Sequence, residues 1–339
     1  MSSLILRTID AHVAGAPLRL IVDGFPSPRG STMAEKREWV QANADGLRRS
    51  LMLEPRGHAD MCGAVLTEPA SPGAHAGVLF LHNDGCAAMS GHGIIAVTTI
   101  ALERGLLMTG GDGTTVVFDT PVGVVRAKAA VRAEPSSETI RVERVSFANV
   151  PAFVLFAGLA IQAAGRQLRA DIAYGGALYA IVDSEAAGVA IDGAHVPELR
   201  RTAAAIRRAI ESASRTIPHL FESSPTGLDG TIFTGPAHAE GADLRNVTIF
   251  ADGQLDRSPG GTGTSAVMAV LDAMGLLDDE RPFVQESIIG TRISGRIVGR
   301  ADLGDYPAVI TEIEGSAWIT GEHTFTIDDR DPLKDGFRL

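Results

Sequence analysis

Cysteine is almost absent from this chain, which holds only Cys62 and Cys86 in 339 residues. Two thiols cannot build a disulfide scaffold or a four-cysteine zinc site, so a reducing, cytoplasmic setting is the default expectation. Basic charge is also short. Lys and Arg number 30 against 41 Asp and Glu, giving a net charge of -11, and such a field repels nucleic acid and anionic membranes. No basic patch interleaved with aromatics compensates, so no nucleic-acid partner is expected. The nine histidines show no H-x-x-x-H or comparable ligand spacing, so no metal site is expected. His75, His195 and His219 sit in polar stretches and read as solvated.

Several familiar catalytic patterns are missing too. Gly261-Thr-Gly-Thr lacks the Gly-Lys-Ser/Thr ending of a phosphate loop. A looser dinucleotide pattern occurs at Gly91 to Ala96 and again at Gly261 to Ala266, but neither copy has an acidic partner on a following strand. The hydrolase pattern G-x-S-x-G is absent. Met1 to Val13 carries Arg7 and Asp10 and no long apolar run, which does not read as a secretory signal. Ser146 to Gly165 is uncharged but broken by Asn149, Pro151, Gly158 and Gln162. It reads as two buried strands and a turn rather than as a membrane span.

What the sequence does contain is an internal repeat. Hydrophobic residues make up 45% and charged residues 21%, an ordinary globular balance, and the length suits two domains. Met89 to Leu107 aligns with Pro259 to Leu277, and seven of the nineteen positions are identical, including Gly91/Gly261, Gly93/Gly263 and Gly105/Gly275. Upstream, Gly63-Ala-Val-Leu-Thr-Glu-Pro69 matches Gly230-Thr-Ile-Phe-Thr-Gly-Pro236. Downstream, Asp119-Thr-Pro-Val-Gly123 resembles Glu286-Ser-Ile-Ile-Gly290. Order and spacing agree three times, which predicts two similar halves, 1–147 and 148–309, with the tail 310–339 expected to pack back on the first.

Each half reads as strands, then a helix (Met33 to Leu51 or Val196 to Arg215), two further strands, a Gly-rich turn, an apolar helix and a closing β-rich stretch. The apolar helices, ending at Gly105 and Gly275, would be buried nearly all round. Their N-termini present unpaired N–H groups and a positive dipole end, and glycine lets an anion approach the backbone closely. The expectation is one small carboxylate held in a cleft between the two halves.

The motifs Asp10-Ala-His-Val-Ala-Gly-Ala-Pro-Leu-Arg19, Arg56-Gly-His-Ala-Asp-Met-Cys-Gly-Ala-Val65, Met89-Ser-Gly-His-Gly93, Asp171-Ile-Ala-Tyr-Gly-Gly176 and Asp256-Arg-Ser-Pro-Gly-Gly-Thr-Gly-Thr264 occur in that order across nearly the whole chain. Together they resemble the proline racemase family. The resemblance implies an α+β fold of the diaminopimelate epimerase type, with two pseudo-symmetric halves, each a barrel-like sheet around a central helix. It also implies chemistry at the carbon alpha to a carboxylate, on proline or hydroxyprolines, with no cofactor or metal, and it allows a homodimer. Racemases and 4-hydroxyproline epimerases of the family place one cysteine at each turn, one abstracting a proton and the other donating on the opposite face. The trans-3-hydroxy-L-proline dehydratases keep one base and usually have threonine at the second position.

This sequence departs at those points. Ser90 stands where the first cysteine is expected and Gly260 where the second cysteine or threonine is. Glycine offers no proton-transfer group, and serine is a poor base unless a neighbour such as His92 or Asp84 takes its proton. Ser90 also reads as a helix N-cap. Ala16 replaces a common glutamate. Cys62, where an aromatic often meets the substrate ring, is either a relocated nucleophile or a small buried residue that widens the pocket. Cys86 reads as a spectator. The resemblance further places Gly91, His92, Gly261 and Thr262 at the substrate carboxylate, Asp256 at the ring nitrogen and Phe250 as an apolar wall. Plainer readings stand beside these. The glycines permit the turns, Asp256 bonds its own loop and Phe250 is core.

The sequence therefore favours a cofactor-independent lyase resembling trans-3-hydroxy-L-proline dehydratase, acting on a free imino acid. A 4-hydroxyproline epimerase with a second base from Cys62, Asp60 or water comes next, and a non-catalytic imino-acid-binding relative third.

Overall fold

The computed structural model describes residues 3–107, 114–133, 140–213, 227–278 and 280–338; His219 lies outside them. The chain forms two compact units, Met1–Phe147 with Ser316–Leu339, and Ala148–Gly315.

The first unit opens with a hairpin of β1 (Leu4–Val13) and β2 (Ala16–Asp23). Ala14 and Gly15 form its tip at φ 50° and 93°, the left-handed pair that matches the twist of two antiparallel strands. Two helices follow, α1 (Met33–Asn43) and α2 (Asp45–Met52). The apolar pattern predicts a single helix from Met33 to Leu51, but Ala44 leaves helical geometry at φ -130° and ψ 14° and breaks it. Thr32 starts α1 with a reciprocal capping box to Glu35, which satisfies two of its orphan N–H groups.

Next come β3 (Gly63–Thr67), β4 (Ala76–Leu81), β5 (Cys86–Ala87), α3 (Gly91–Glu103), β6 (Thr115–Thr120), β7 (Gly123–Ala133) and β8 (Ile140–Ala148). The C-terminal strand β18 (Ala317–Ile327) pairs with β1. The sheet runs β18–β1–β2–β3–β4–β6–β7–β8, with parallel pairs at β2–β3 and β4–β6. All six residues of β4 are buried, because both faces of the sheet are covered there. Met33, Val40, Leu51 and Met52 of α1 and α2 pack with Val65, Leu79 and Leu81, while α3 packs against β1, β2, β3, β7 and β18.

The second unit contains β9 (Ala152–Ala163), β10 (Arg166–Tyr174), β11 (Leu178–Asp183), the short α4 (Ser184–Ala187), α5 (Val196–Ala213), β12 (Gly230–Gly235), β13 (Leu244–Phe250), β14 (Leu255–Asp256), α6 (Gly261–Ala273), β15 (Phe283–Ser287), β16 (Arg292–Leu303) and β17 (Tyr306–Gly315). Eight of these strands close a ring in the order β9–β10–β11–β12–β13–β15–β16–β17, and β17 pairs back to β9. Helix α6 packs against β9, β10, β11, β16 and β17. Helix α5 buries Leu199, Ala203, Ile206 and Ile210 along one face, the helical spacing of an outer amphipathic element.

The repeat is legible in the details. Asp119, one residue before the end of β6, accepts from Ala70 N and Ser71 N at 2.8 and 2.6 Å. Glu286, its counterpart on β15, accepts from His238 N and Ala239 N at 2.7 and 3.1 Å. Both central helices end on a left-handed glycine, Gly105 at φ 61° and Gly275 at φ 68°. In each, the next residue bonds back into the last turn, Leu106 N to Ala101 O and Leu276 N to Leu271 O, as in a Schellman end.

Two local expectations change. His75 is partly buried, and its Nδ1 accepts from Val117 N at 2.9 Å, so it ties β6 rather than facing solvent. The uncharged stretch 146–165 is the end of β8, a three-residue link and β9, but β9 is only half covered, with Phe156 40% exposed. No described helix is long and apolar enough to cross a membrane.

Candidate active site

In the first unit, β5 delivers the chain into α3, and Ser90 is the N-cap at φ -146° and ψ 111°. Its Oγ accepts from Gly93 N at 3.2 Å and lies 3.5 Å from His92 Nδ1. The cap reading is thus realised. The serine–histidine contact is long for a hydrogen bond but within reach of one on slight adjustment. Ser90 and His92 are 6% and 7% exposed. Gly93 is fixed by packing, since a Cβ there would lie 2.4 Å from the Phe80 ring.

Cys62, just before β3, lies 3.7 Å from His82 Nδ1. Burial pushes the His82 imidazole down to about 4, the charges of His92 and Arg48 lower it further, and Asp84 opposes them. His82 is therefore neutral at ordinary pH. Within this unit two side-chain pairs are thus formed, Cys62 with His82 and Ser90 with His92. Asp84 is exposed, and Asp60 sits two residues before Cys62 with φ 64°. Burial pushes the Cys86 thiol up to about 11, so it stays protonated and unreactive. The Asp10 and Arg19 motif residues form a scaffold pair. The guanidinium meets the carboxylate at 2.8 to 3.1 Å and also donates to Leu51 O and Arg56 O.

In the second unit, β14 ends at Asp256, and the turn that follows is cross-braced. Asp256 Oδ1 accepts from Ser258 N at 2.9 Å and from Ser258 Oγ at 2.8 Å. Ser258 Oγ in turn accepts from Gly260 N at 3.1 Å, and Asn246 Nδ2 donates to Pro259 O at 2.8 Å. Gly260 caps α6 at φ 79° and ψ 134°, a backbone region in which L side chains are strained. The two turns therefore differ in backbone as well as in side chain.

Thr262, in the first turn of α6, pairs its hydroxyl with Tyr179 Oη at 2.7 Å. Burial pushes the Tyr179 phenol well above its usual range, Asp229 and Asp256 raise it further, and the Thr262 bond opposes them. It stays a neutral hydroxyl. Gly175 and Gly176 complete this support: a Cβ at 175 would lie 2.3 Å from Thr262 O, and one at 176 would lie 2.9 Å from Thr262 Cγ2. Phe250 ends β13 partly exposed, not in the core, with its N–H on Gln254 O at 2.8 Å.

The structure thus groups Ser90, Gly91 and His92 at one turn and Asp256, Gly260, Gly261 and Thr262 at the other. Cys62 pairs with His82 in the same unit. Sequence reasoning missed His82, Tyr179 and Ser258. A polar tip in the apolar strand Leu178-Tyr-Ala-Ile-Val was the one available signal for Tyr179, since a buried phenol needs a partner. Among the described residues, no group of three or more His, Cys, Asp or Glu side chains is placed to hold a metal ion.

Comparison with known proteins agrees with this architecture. A family model described as proline racemase matches residues 8–338. A trans-3-hydroxy-L-proline dehydratase of Bacillus thuringiensis subsp. konkukian is 43% identical over 337 residues, covering 99% of both chains. A proline racemase of Clostridioides difficile is 40% identical over 336 residues, covering 98% of each. Among solved structures, a hydroxyproline epimerase from Agrobacterium vitis with bound trans-4-OH-L-proline superposes with a TM-score of 0.86 at 30% identity, covering 99% of this chain and 96% of that one. Its central helices, its two glycine-rich turns and matches that span almost every residue make this chain a member of the proline racemase family.

Proposed function

We propose that this chain is a cofactor-independent hydro-lyase of the trans-3-hydroxy-L-proline dehydratase type, acting on a free imino acid in the cytoplasm. The observation that carries the reading is the asymmetry of the two turns. Ser90 offers a hydroxyl and Gly260 offers no side chain. Racemisation by the family's usual pair needs a group at each turn, whereas loss of water needs proton abstraction at one. The kinship with the Bacillus dehydratase supports the same choice.

In this reading the family resemblance assigns Gly91, His92, Gly261 and the braced Thr262, at the N–H-rich openings of the central helices, to the substrate carboxylate. It assigns Asp256 to the ring nitrogen, and Phe250 and Cys62 to the ring. The base is the Ser90 hydroxyl relieved of its proton by His92, or a water that Ser90 orients. Removal of the α proton sends the electron pair into the carboxylate. The pair then expels the C3 hydroxyl, which takes up a proton and leaves as water. The resulting enamine tautomerises to the cyclic imine.

Proton NMR in heavy water with trans-3-hydroxy-L-proline, both 4-hydroxyproline epimers and proline tests this directly. Imine from the 3-hydroxy substrate is the expected result. Exchange with inversion and no imine would replace it with an isomerase, a reading that the Asp256 carboxylate beside Gly260 favours. Thermal stabilisation by these ligands without α-proton exchange would leave a binding protein. Sedimentation of the full chain checks the homodimer that belongs to this reading.

A further inference from the structure

The geometry points to Asp256 as the acid–base group that position 260 lacks. This inference rests on the proposed proton removal at the carbon alpha to the carboxylate, and names the residue of the second turn that moves a proton. A Cβ built on Gly260 would meet Asp256 Oδ2 first, at 3.2 Å, with Gly263 N next at 3.8 Å. The carboxylate oxygen thus borders the place where a cysteine or threonine side chain would begin.

The carboxylate is aimed, not loose. Both Ser258 bonds fall on Oδ1, which turns Oδ2 toward the start of α6. Ser258 and Asn246 are both fully buried and Asp256 is 6% exposed, and Asn246 fixes the carbonyl just before Gly260. The glycine-only backbone at 260 belongs to this arrangement, because it clears the side chain from the space that Oδ2 borders. At neutral pH an aimed carboxylate is a better proton acceptor than a serine hydroxyl, which needs a second base.

The step is a proton transfer. The Cα–H bond breaks, an O–H bond forms on Oδ2, and the electron pair moves into the substrate carboxylate as an enediolate. In reverse, the Oδ2 proton returns to Cα and the carboxylate is restored. No oxidant or reductant takes part. The role goes beyond pairing with a ring nitrogen, and it gives the protein a second acid–base centre independent of Ser90.

The test compares α-proton exchange in heavy water for wild type, Ser90→Ala, Asp256→Asn and the double variant. D- and L-proline and the 4-hydroxyproline epimers serve at saturating concentration. If Asp256 acts, Ser90→Ala still exchanges one enantiomeric series with retention, and Asp256→Asn lowers that exchange at least ~100-fold, the usual weight of acid–base catalysis. Asparagine still accepts both Ser258 bonds, so circular dichroism should show an intact fold. If it does not, the pH profile of the Ser90→Ala protein decides. Exchange that does not follow hydroxide concentration supports a group on the protein, and exchange that climbs with hydroxide throughout overturns it. Three other outcomes overturn it: loss of both series in Ser90→Ala, exchange surviving in the double variant, or an Asp256→Asn protein that only needs more ligand. A wild type with no exchange in this panel overturns it too, and imine formation from trans-3-hydroxy-L-proline, measured separately, decides the proposed reaction; the three outcomes just named leave dehydration standing.

Discussion

Tyr179 holds Thr262 from behind. The two hydroxyls are 2.7 Å apart across 83 residues of sequence, the phenol is buried on β11 and the threonine is partly open on the first turn of α6. One strand therefore sets the rotamer of a side chain at the proposed carboxylate site. Tyr179→Phe removes that brace without leaving a cavity. The expected cost is about 1 kcal/mol of stability, with several-fold weaker binding of proline-type ligands, read by denaturant unfolding and calorimetry.

Ser90 combines a cap and a candidate catalytic hydroxyl, and two substitutions separate them. Alanine removes both and should cost about 1 kcal/mol, whereas glycine is tolerated at an N-cap to within a few tenths. Ser90→Gly should therefore keep the melting temperature near wild type and still lose imine formation by ~100-fold or more. Activity retained in Ser90→Gly would reduce Ser90 to a cap.

Gly260 cannot be refilled freely. At φ 79° any L side chain is strained, at about 1–3 kcal/mol, and its Cβ would press on Asp256 Oδ2. Gly260→Cys and Gly260→Thr should lower stability by that amount in urea titration. Neither should create a working second thiol or hydroxyl, even alongside Ser90→Cys.

His82 makes stability depend on acid. Its folded pKa of about 4 lies below the ordinary 6.5, so between those values the unfolded chain takes up a proton that the folded one refuses. Stability is complete above pH 6.5 and falls as pH drops toward 4, by at most about 1.4 kcal/mol per unit. His82→Gln should flatten that part of the stability–pH curve, as followed by thermal unfolding across pH 4 to 7.

The repeat made much of this molecule readable before any coordinate. Asp119 and Glu286 match in sequence and both collect two backbone N–H groups, because each closes the same strand turn. Gly105 and Gly275 mark helix ends because only glycine takes the left-handed conformation there cheaply. The break at Ala44 was not readable, since alanine is a strong helix former and tertiary packing overrides that propensity. The Cys62–His82 and Tyr179–Thr262 pairs join distant segments, and a single sequence holds no local signal for such meetings. The sign of φ at Gly260 was likewise hidden, because glycine is equally at home in an ordinary cap.

The ring that β17 closes on β9 has a consequence for behaviour in a crowded solution. Each of its eight strands has hydrogen-bonded neighbours on both sides, which shortens the rows of amides on which a foreign strand could add. The closing pair joins only Ala308 with Phe153 and Val309 with Ala152, so self-association by strand addition should be most sensitive to substitutions at that seam.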